Sequence, residues 1–378
     1  MKIGIVCYPT FGGSGVVATE LGLELSKRGH EIHFITYNLP VRLELLSNHV
    51  HYHEVTVPEY PLFHYQPYEL ALSSKLVDMV KLHKIEILHV HYAIPHAYAA
   101  YMAKKMLIEE NIYVPIVTTL HGTDITLVGS HPFYKPAVTF SINKSDAVTA
   151  VSKSLKKDTQ RLFDIKNKIS VVPNFIDLDK YNHGFTDCQR EIMANEDEKI
   201  ITHISNLREV KRVQDVISIF YNIQKEIPAK LMLVGEGPER EKIEWRCQQL
   251  GITDKVIFFG KSNEIDKILC FSDLFLLPSQ TESFGLAALE AMASRVPVIS
   301  SNTGGIPEVN THGVSGFLSN VGDVDDMTKN ALHVLSDESR LHTFKNNARQ
   351  ESLKYDIHNI VPQYEAIYED TLAKCLVL

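Results

Sequence analysis

Short apolar runs alternate with helical stretches along almost the whole chain, and that alternation constrains the fold more than any single motif. Runs at 2–8, 31–37, 51–57, 85–90, 116–120 and 147–151 read as strands, with helices at 16–27, 68–82 and 96–108 between them. A second series at 200–204, 230–234, 255–260, 273–279 and 297–301 repeats the unit after a polar connector at 179–199. Strand and helix in strict alternation call for parallel sheets covered on both faces, so the expected class is α/β with two Rossmann-like, doubly wound domains. The chain has 378 residues, enough for two full cores. The expected boundaries are 1–175, 176–355 and a tail helix at 356–378.

Composition narrows the partners. A content of 44% hydrophobic and 22% charged residues is that of an ordinary globular protein, and the formal charge of −8 argues against nucleic acid. The first eight residues run straight into a glycine loop and leave no room for a signal segment, and no apolar run approaches a membrane span. A cytoplasmic location is expected. Cys7, Cys188, Cys247, Cys270 and Cys375 are odd in number and widely spaced, which reads as reduced packing cysteines.

In such sheets ligands bind beyond the carboxyl ends of strands, and several ends here carry chemistry. The apolar run 273–279 is followed by Gln280, Thr281, Glu282, Ser283, Phe284 and Gly285, then by an Ala/Leu-rich helix beginning at about Phe284. A helix start leaves N–H groups unpaired beside the positive end of the dipole, which suits a phosphate. Glu282 and Glu290 flank it and could accept hydrogen bonds from sugar hydroxyls, so the group that fits both halves is a sugar nucleotide. The alternative is a plain core helix with a solvent-facing glutamate. Arg208 and Lys211, three apart after the strand at 200–204, can converge on a diphosphate, with Arg212 as a solvated neighbour.

Near the N-terminus Gly13, Gly15 and Ala18 match a loose dinucleotide fingerprint. The next strand ends in Thr36, Tyr37 and Asn38, with no acid for a ribose, so a dehydrogenase is disfavoured and the glycines read as backbone access for another anion. A tight turn with no ligand is the plainer alternative. His89, His91, His96 and His121 raise a metal site, but no short-range carboxylate completes a ligand spacing, and none is assigned.

Taken together, the Glu282-to-Glu290 pattern with its internal Phe284 and Gly285, the segment 121–124 (His-Gly-Thr-Asp), the Pro173, Asn174 and Asp177 pattern, and Arg208 with Lys211 resemble the family 4 retaining glycosyltransferases. The resemblance runs over nearly the whole chain. It implies the GT-B fold, two Rossmann-like domains facing across a cleft, with the acceptor held by the first domain and a nucleotide sugar by the second. The tail helix would return to the first domain. By resemblance His121, Arg208, Lys211 and Glu282 are catalytic. Gly13, Asn206, Arg208, Lys211 and Gly235 bind the donor, as do Glu282, Ser283, Phe284, Gly285, Leu286 and Glu290. Asp124 would order its loop, and the Gly304 and Gly305 segment would pack.

A narrower set of motifs, 7–15, 31–36, 89–96, 118–126 and 211–216, is similar to those members of the family that open bacillithiol biosynthesis. That implies UDP-N-acetylglucosamine (UDP-GlcNAc) as donor and L-malate as acceptor, with Gly12, Ser14, Tyr92 and Thr119 as neutral acceptor-binding groups. A cation for the malate carboxylates is expected on the helix after 121–124, where Lys135 and Lys144 are the local choices. The expected partners are these small-molecule substrates, with no nucleic acid, no membrane, no cofactor and no metal, and the expected oligomer is a homodimer. A lipid-acceptor transferase, a nucleotide-sugar epimerase or hydrolase, and a non-catalytic sugar-nucleotide sensor share the architecture and stay open.

Overall fold

Parallel strands buried on both faces need near-continuous apolar sequence, and the segments Ala229–Val234 and Leu274–Leu277 supply it. The structure, a computed structural model, describes residues 1–10, 12–43, 49–59, 65–181 and 190–375. Part of the expected connector, with Cys188, lies outside them. The chain divides into two units, Met1–Phe175 with Ile357–Leu378, and Ile176–Asp356.

The first unit is built on β1 (Lys2–Val6), β2 (Glu31–Thr36), β3 (Val50–Glu54), β4 (Ile87–His91), β5 (Ile116–Leu120), β6 (Ala147–Ala150) and β7 (Ile169–Val171). Its helices are α1 (Gly13–Lys27), α2 (Tyr68–His83), α3 (Tyr98–Ile108), α4 (Lys135–Lys144) and α5 (Lys153–Leu162). The strands pair in parallel in the order β3-β2-β1-β4-β5-β6-β7. The order reverses between β1 and β4, where open α/β sheets bind ligands.

The second unit repeats the plan with β8 (Lys199–Ile204), β9 (Ala229–Val234), β10 (Val256–Gly260), β11 (Leu274–Leu277), β12 (Val298–Ser301) and β13 (Gly316–Ser319). Its helices are α6 (Val213–Glu226), α7 (Arg240–Leu250), α8 (Ile265–Cys270), α9 (Leu286–Ala293), α10 (Ile306–Val309), α11 (Val324–Leu335) and α12 (Glu338–Ser352). The sheet order is β10-β9-β8-β11-β12-β13, so its switch point lies between β8 and β11. The face of α6 made by Val213, Val216, Ile217, Phe220 and Ile223 is fully buried in this unit's core, and Phe220→Ala would cost about 3–5 kcal/mol.

The last helix, α13 (Ile357–Cys375), belongs to the first unit, where Tyr364 and Tyr368 are fully buried. No helix of the described residues is long and apolar enough to cross a membrane.

Three expectations are corrected. The first helix begins at Gly13, not 16, because Gly15 sits where a Cβ would lie 2.5 Å from the Thr10 carbonyl oxygen and 2.6 Å from that of Tyr8. Close packing on the strand end outweighs glycine's poor helix propensity there. Helix α9 begins at Leu286, not Phe284, because Gly285 turns left-handed at φ +95°. Among the cysteines, Cys7, Cys247 and Cys375 are free but Cys270 is disulfide-bonded, since spacing along the chain does not tell which thiols meet in space.

Candidate active site

In the second unit the loops after β8 and β11 meet at the switch point. The Gln280 N–H donates to the Val210 carbonyl at 2.8 Å, and the Lys211 ammonium pairs with the Glu282 carboxylate. Ser279 Oγ donates to the same Glu282 oxygen at 3.2 Å. Two glycine pairs, after β12 and after β9, let the neighbouring loops pack directly on these two. A Cβ on Gly304 would lie 1.9 Å from the Glu282 carbonyl oxygen, and one on Gly305 2.3 Å from that of Ser283. A Cβ on Gly235 would lie 1.8 Å from the Ser205 carbonyl oxygen, and one on Gly237 2.0 Å from that of Asn206. The Gly304 and Gly305 segment therefore packs, and what it packs is the Glu282 loop itself.

Helix α9 has glycine at its N-cap and no acid in its first turn, so its positive end lies beside half-buried Glu282 and Ser283 with no cap side chain of its own. The Arg208 guanidinium is exposed and makes no hydrogen bond or ion pair among the described residues. Asn206 is also exposed. Arg212 departs from the solvated role expected of it: its Nε donates to Asp215 at 2.6 Å and its guanidinium lies against Gly322. Phe284 is a core side chain, edge-on to Tyr355 at 5.5 Å, so only its backbone could serve a ligand.

Two supporting residues escaped the sequence reading. Tyr181 donates its hydroxyl to Glu290 Oε1 at 3.2 Å, which gives the buried carboxylate of α9 a partner. No local signal marks Tyr181. His203, fully buried in β8, meets the Leu276 carbonyl with Nδ1 at 2.8 Å and Ser205 Oγ with Nε2 at 2.8 Å, and Ser205 Oγ accepts the Leu207 N–H. Burial pushes His203 down to about 4, so at neutral pH it is an uncharged brace between β11 and the loop that carries Arg208. A histidine inside an apolar strand is itself the signal, because a buried imidazole needs two partners.

In the first unit the loops after β1 and β4 are joined by Ser14 Oγ and Tyr92 OH, 2.6 Å apart. The start of α1 at Gly13 and Ser14 has no side-chain cap and no acid. Tyr92 adopts φ +85°, and its ring lies 5.1 Å from that of His121 and 5.2 Å from that of Tyr8. Asp124 fastens the loop after β5 to the loop after β4: its carboxylate accepts the Ala93 N–H at 2.8 Å, the Gly122 N–H at 3.0 Å and the His121 N–H at 3.3 Å. Burial pushes Asp124 up to about 6 against the pull of those three donors.

The four histidines form a network of hydrogen bonds and stacked rings. His91 Nδ1 lies 2.8 Å from His121 Nε2, and His96 Nδ1 donates to the His91 carbonyl at 2.6 Å. His89 meets Tyr368 OH with Nδ1 and Thr119 Oγ1 with Nε2, each at 2.7 Å. Burial drives all four down, His89 and His121 to about 3 and His96 to about 4. His121, at 9% exposure, alone has accessible surface; the other three have none. Thr119 is placed differently from its expected role: its hydroxyl is committed to His89 and Thr149 inside the sheet, so it supports the layer beneath the loops. Lys135 is exposed at the start of α4, and Lys144 lies at its far end over the Phe140 ring.

Known proteins resemble this chain along its length. Residues 11–180 match the family model described as Glycosyltransferase Family 4, and residues 186–351 match that described as Glycosyl transferases group 1. The N-acetyl-alpha-D-glucosaminyl L-malate synthase of Bacillus anthracis is 49% identical over 98% of this chain and 97% of its own. Among solved structures, HepE of Anabaena in complex with UDP and glucose aligns with a TM-score of 0.82 at 20% identity, covering 98% of this chain and 99% of that one. Sucrose-phosphate synthase of Thermosynechococcus elongatus aligns with a TM-score of 0.81 at 19% identity, covering 99% and 100%. These two likenesses bear on the fold, which is GT-B.

Proposed function

We propose, from the premise that this chain belongs to the family 4 glycosyltransferases, that it transfers N-acetylglucosamine from UDP-GlcNAc to the hydroxyl of L-malate with retention of configuration. The 49% identity across almost the whole length of a relative bearing that name carries the choice of donor and acceptor. The site chemistry supports the reaction type.

In this reading the second unit holds the nucleotide. Arg208, Lys211 and the start of α9 face the diphosphate, Glu290 accepts from ribose hydroxyls, and Glu282 accepts from a hydroxyl of the transferred sugar. The first unit holds malate against the start of α1, with Gly12, Ser14 and Tyr92 donating hydrogen bonds to it, while Gly13 and His121 attend the sugar nucleotide. The bond between the anomeric carbon and the β-phosphate oxygen breaks, and negative charge grows on the departing UDP. Arg208, Lys211 and the helix N–H groups stabilise that charge without a metal. The malate hydroxyl oxygen bonds to the anomeric carbon on the face UDP leaves, and its proton passes to the leaving phosphate oxygen.

The test is mass spectrometry of products after incubation with UDP-GlcNAc in EDTA, with and without L-malate. A species at the mass of the sugar–malate conjugate, with UDP released only when malate is present, is the expected result. Free sugar released without malate would replace transfer by hydrolysis, and turnover lost in EDTA would overturn the metal-independent mechanism.

A further inference from the structure

Outside the strand-end loops, five polar side chains gather at the edge of the first unit's sheet. The edge strand β3 carries His51 and His53, two residues apart and therefore on one face. In register His33 of β2 lies beside His51 and Ile35 beside His53, and Glu31 sits two residues before His33 on the same face. His83, the last residue of α2, closes over them, its ring 4.7 Å from those of both His33 and His53. His33 is fully buried.

The nitrogen geometry assigns each edge of the His33 ring. Its Nδ1 lies 2.9 Å from His53 Nε2, and its Nε2 lies 3.2 Å from Glu31 Oε1. The other Glu31 oxygen is held by Lys2 at 3.0 Å. As packing alone this is a poor solution, because apolar side chains would fill the space without desolvating ring nitrogens.

We propose that His33 Nδ1, His53 Nε2 and a ring nitrogen of His83 bind a divalent transition metal of the zinc class, with Glu31 accepting the His33 Nε2–H from behind. The three ligand atoms lie within 4.8 Å of one another. Tetrahedral zinc, with Zn–N about 2.0–2.1 Å, holds its nitrogens about 3.3 Å apart, so small ring rotations complete the site. A ligating histidine that passes its second N–H to a carboxylate is the arrangement that fixes ring orientation in zinc proteins, and Glu31 stands in that position. Imidazole ligands favour Zn(II), Ni(II) and Cu(II) over Mg(II) and Ca(II). The alternative triad of Glu31, His33 and His51 shares the same cluster, but it draws its ligand from a carboxylate that Lys2 already engages. The metal would join β2, the edge strand and the end of α2, none of which carries the loops assigned to sugar transfer.

The experiment uses the full chain without an affinity tag, stripped with EDTA, dialysed and titrated with Co(II) as the probe. The expected result is a saturable visible absorption of four-coordinate cobalt at one equivalent per chain, bleached by Zn(II), with a higher melting temperature in the metal-loaded protein. His53→Gln and His83→Gln should each abolish the saturable signal, and Glu31→Gln, which keeps all three ligands, should weaken binding by ~10–100-fold. Sugar transfer in EDTA should be unchanged in His83→Gln. No saturable cobalt signal in the parent chain would overturn the proposal, as would an undiminished one in His53→Gln and His83→Gln.

Discussion

The Gly235→Ala substitution should disable the loops proposed to hold the donor without removing a side chain from them. Gly235 has φ +121°, and an added Cβ would lie 1.8 Å from the Ser205 carbonyl oxygen. Real Cβ contacts stay beyond 3.0 Å, so the Ser205 carbonyl and the residue at 235 must separate by about 1.2 Å more. Ser205 opens the loop that carries Asn206 and Arg208, and its Oγ is the end of the His203 brace. A misplacement of ~1 Å at groups that stabilise a transition state costs ~100-fold, or about 2.7 kcal/mol of barrier. Gly251→Ala is the control: φ is +66° with nothing within 4 Å of the added Cβ, so it carries only the left-handed cost of ~1–2 kcal/mol. Initial rates of UDP release, read beside thermal melts, separate the two effects. Both variants should melt earlier, and only Gly235→Ala should lose kcat/KM by ~100-fold. A Gly235→Ala enzyme as active as Gly251→Ala would refute the claim that this contact positions the catalytic cations.

Tyr181→Phe removes the hydroxyl that donates to buried Glu290, and a hydrogen bond to a charged group is worth about 1.5–3 kcal/mol, so UDP should bind ~10-fold or more weakly by calorimetry with the KM for malate unchanged. His121→Ala should leave UDP affinity intact and lower turnover by ~100-fold, the cost of one lost transition-state donor; full turnover would remove His121 from the reaction. Stability should fall on acidification. His89, His96 and His203 are held down at about 3, 4 and 4, below the unfolded value near 6.5, so their neutral-state stability is complete above that value and lost as pH drops towards the folded ones. At pH 5 each costs about 2 kcal/mol. Asp124, raised to about 6, has the opposite sign and recovers about 1 kcal/mol over the same range, too little to cancel three histidines. A melting temperature that is flat from about pH 7.5 to 5 would contradict the buried neutral state of these rings.

The fold class was legible because burying parallel strands on both faces leaves a repeated apolar signature, and residues 116–120 and 274–277 carry it openly. The switch points were not legible. Nothing within β8 or β11 states that they are neighbours, although β9 and β10 lie between them in the sequence. The charged candidates Arg208, Lys211, Glu282 and Glu290 stood out because a sequence shows charge at strand and helix ends. Their supports did not, since Tyr181 comes from a separate turn 109 residues before Glu290. The helix start at 13 was misplaced for a related reason: glycine lowers helix propensity locally, while the Tyr8 and Thr10 carbonyls that demand it belong to the preceding loop. Cys270 shows the same limit, with a pairing that only the folded chain reveals.

Eighteen histidines invite a metal reading of the strand ends, yet both units use imidazole there as a brace. A neutral ring carries a donor and an acceptor on a rigid frame, so it can tie two backbones together without burying charge. His203 does this between Leu276 and Ser205, and His89 between Tyr368 and Thr119. The same logic fixes the state of His121. Buried His91 Nε2 has no partner among the described residues, and an orphaned N–H is rarer in native interiors than an under-satisfied acceptor. The His91 proton therefore sits on Nδ1 and is donated to His121 Nε2 across 2.8 Å. His121, held neutral by burial, then carries its own proton on Nδ1. In the proposed reaction it offers a donor to a sugar hydroxyl and no free basic nitrogen to take the acceptor's proton.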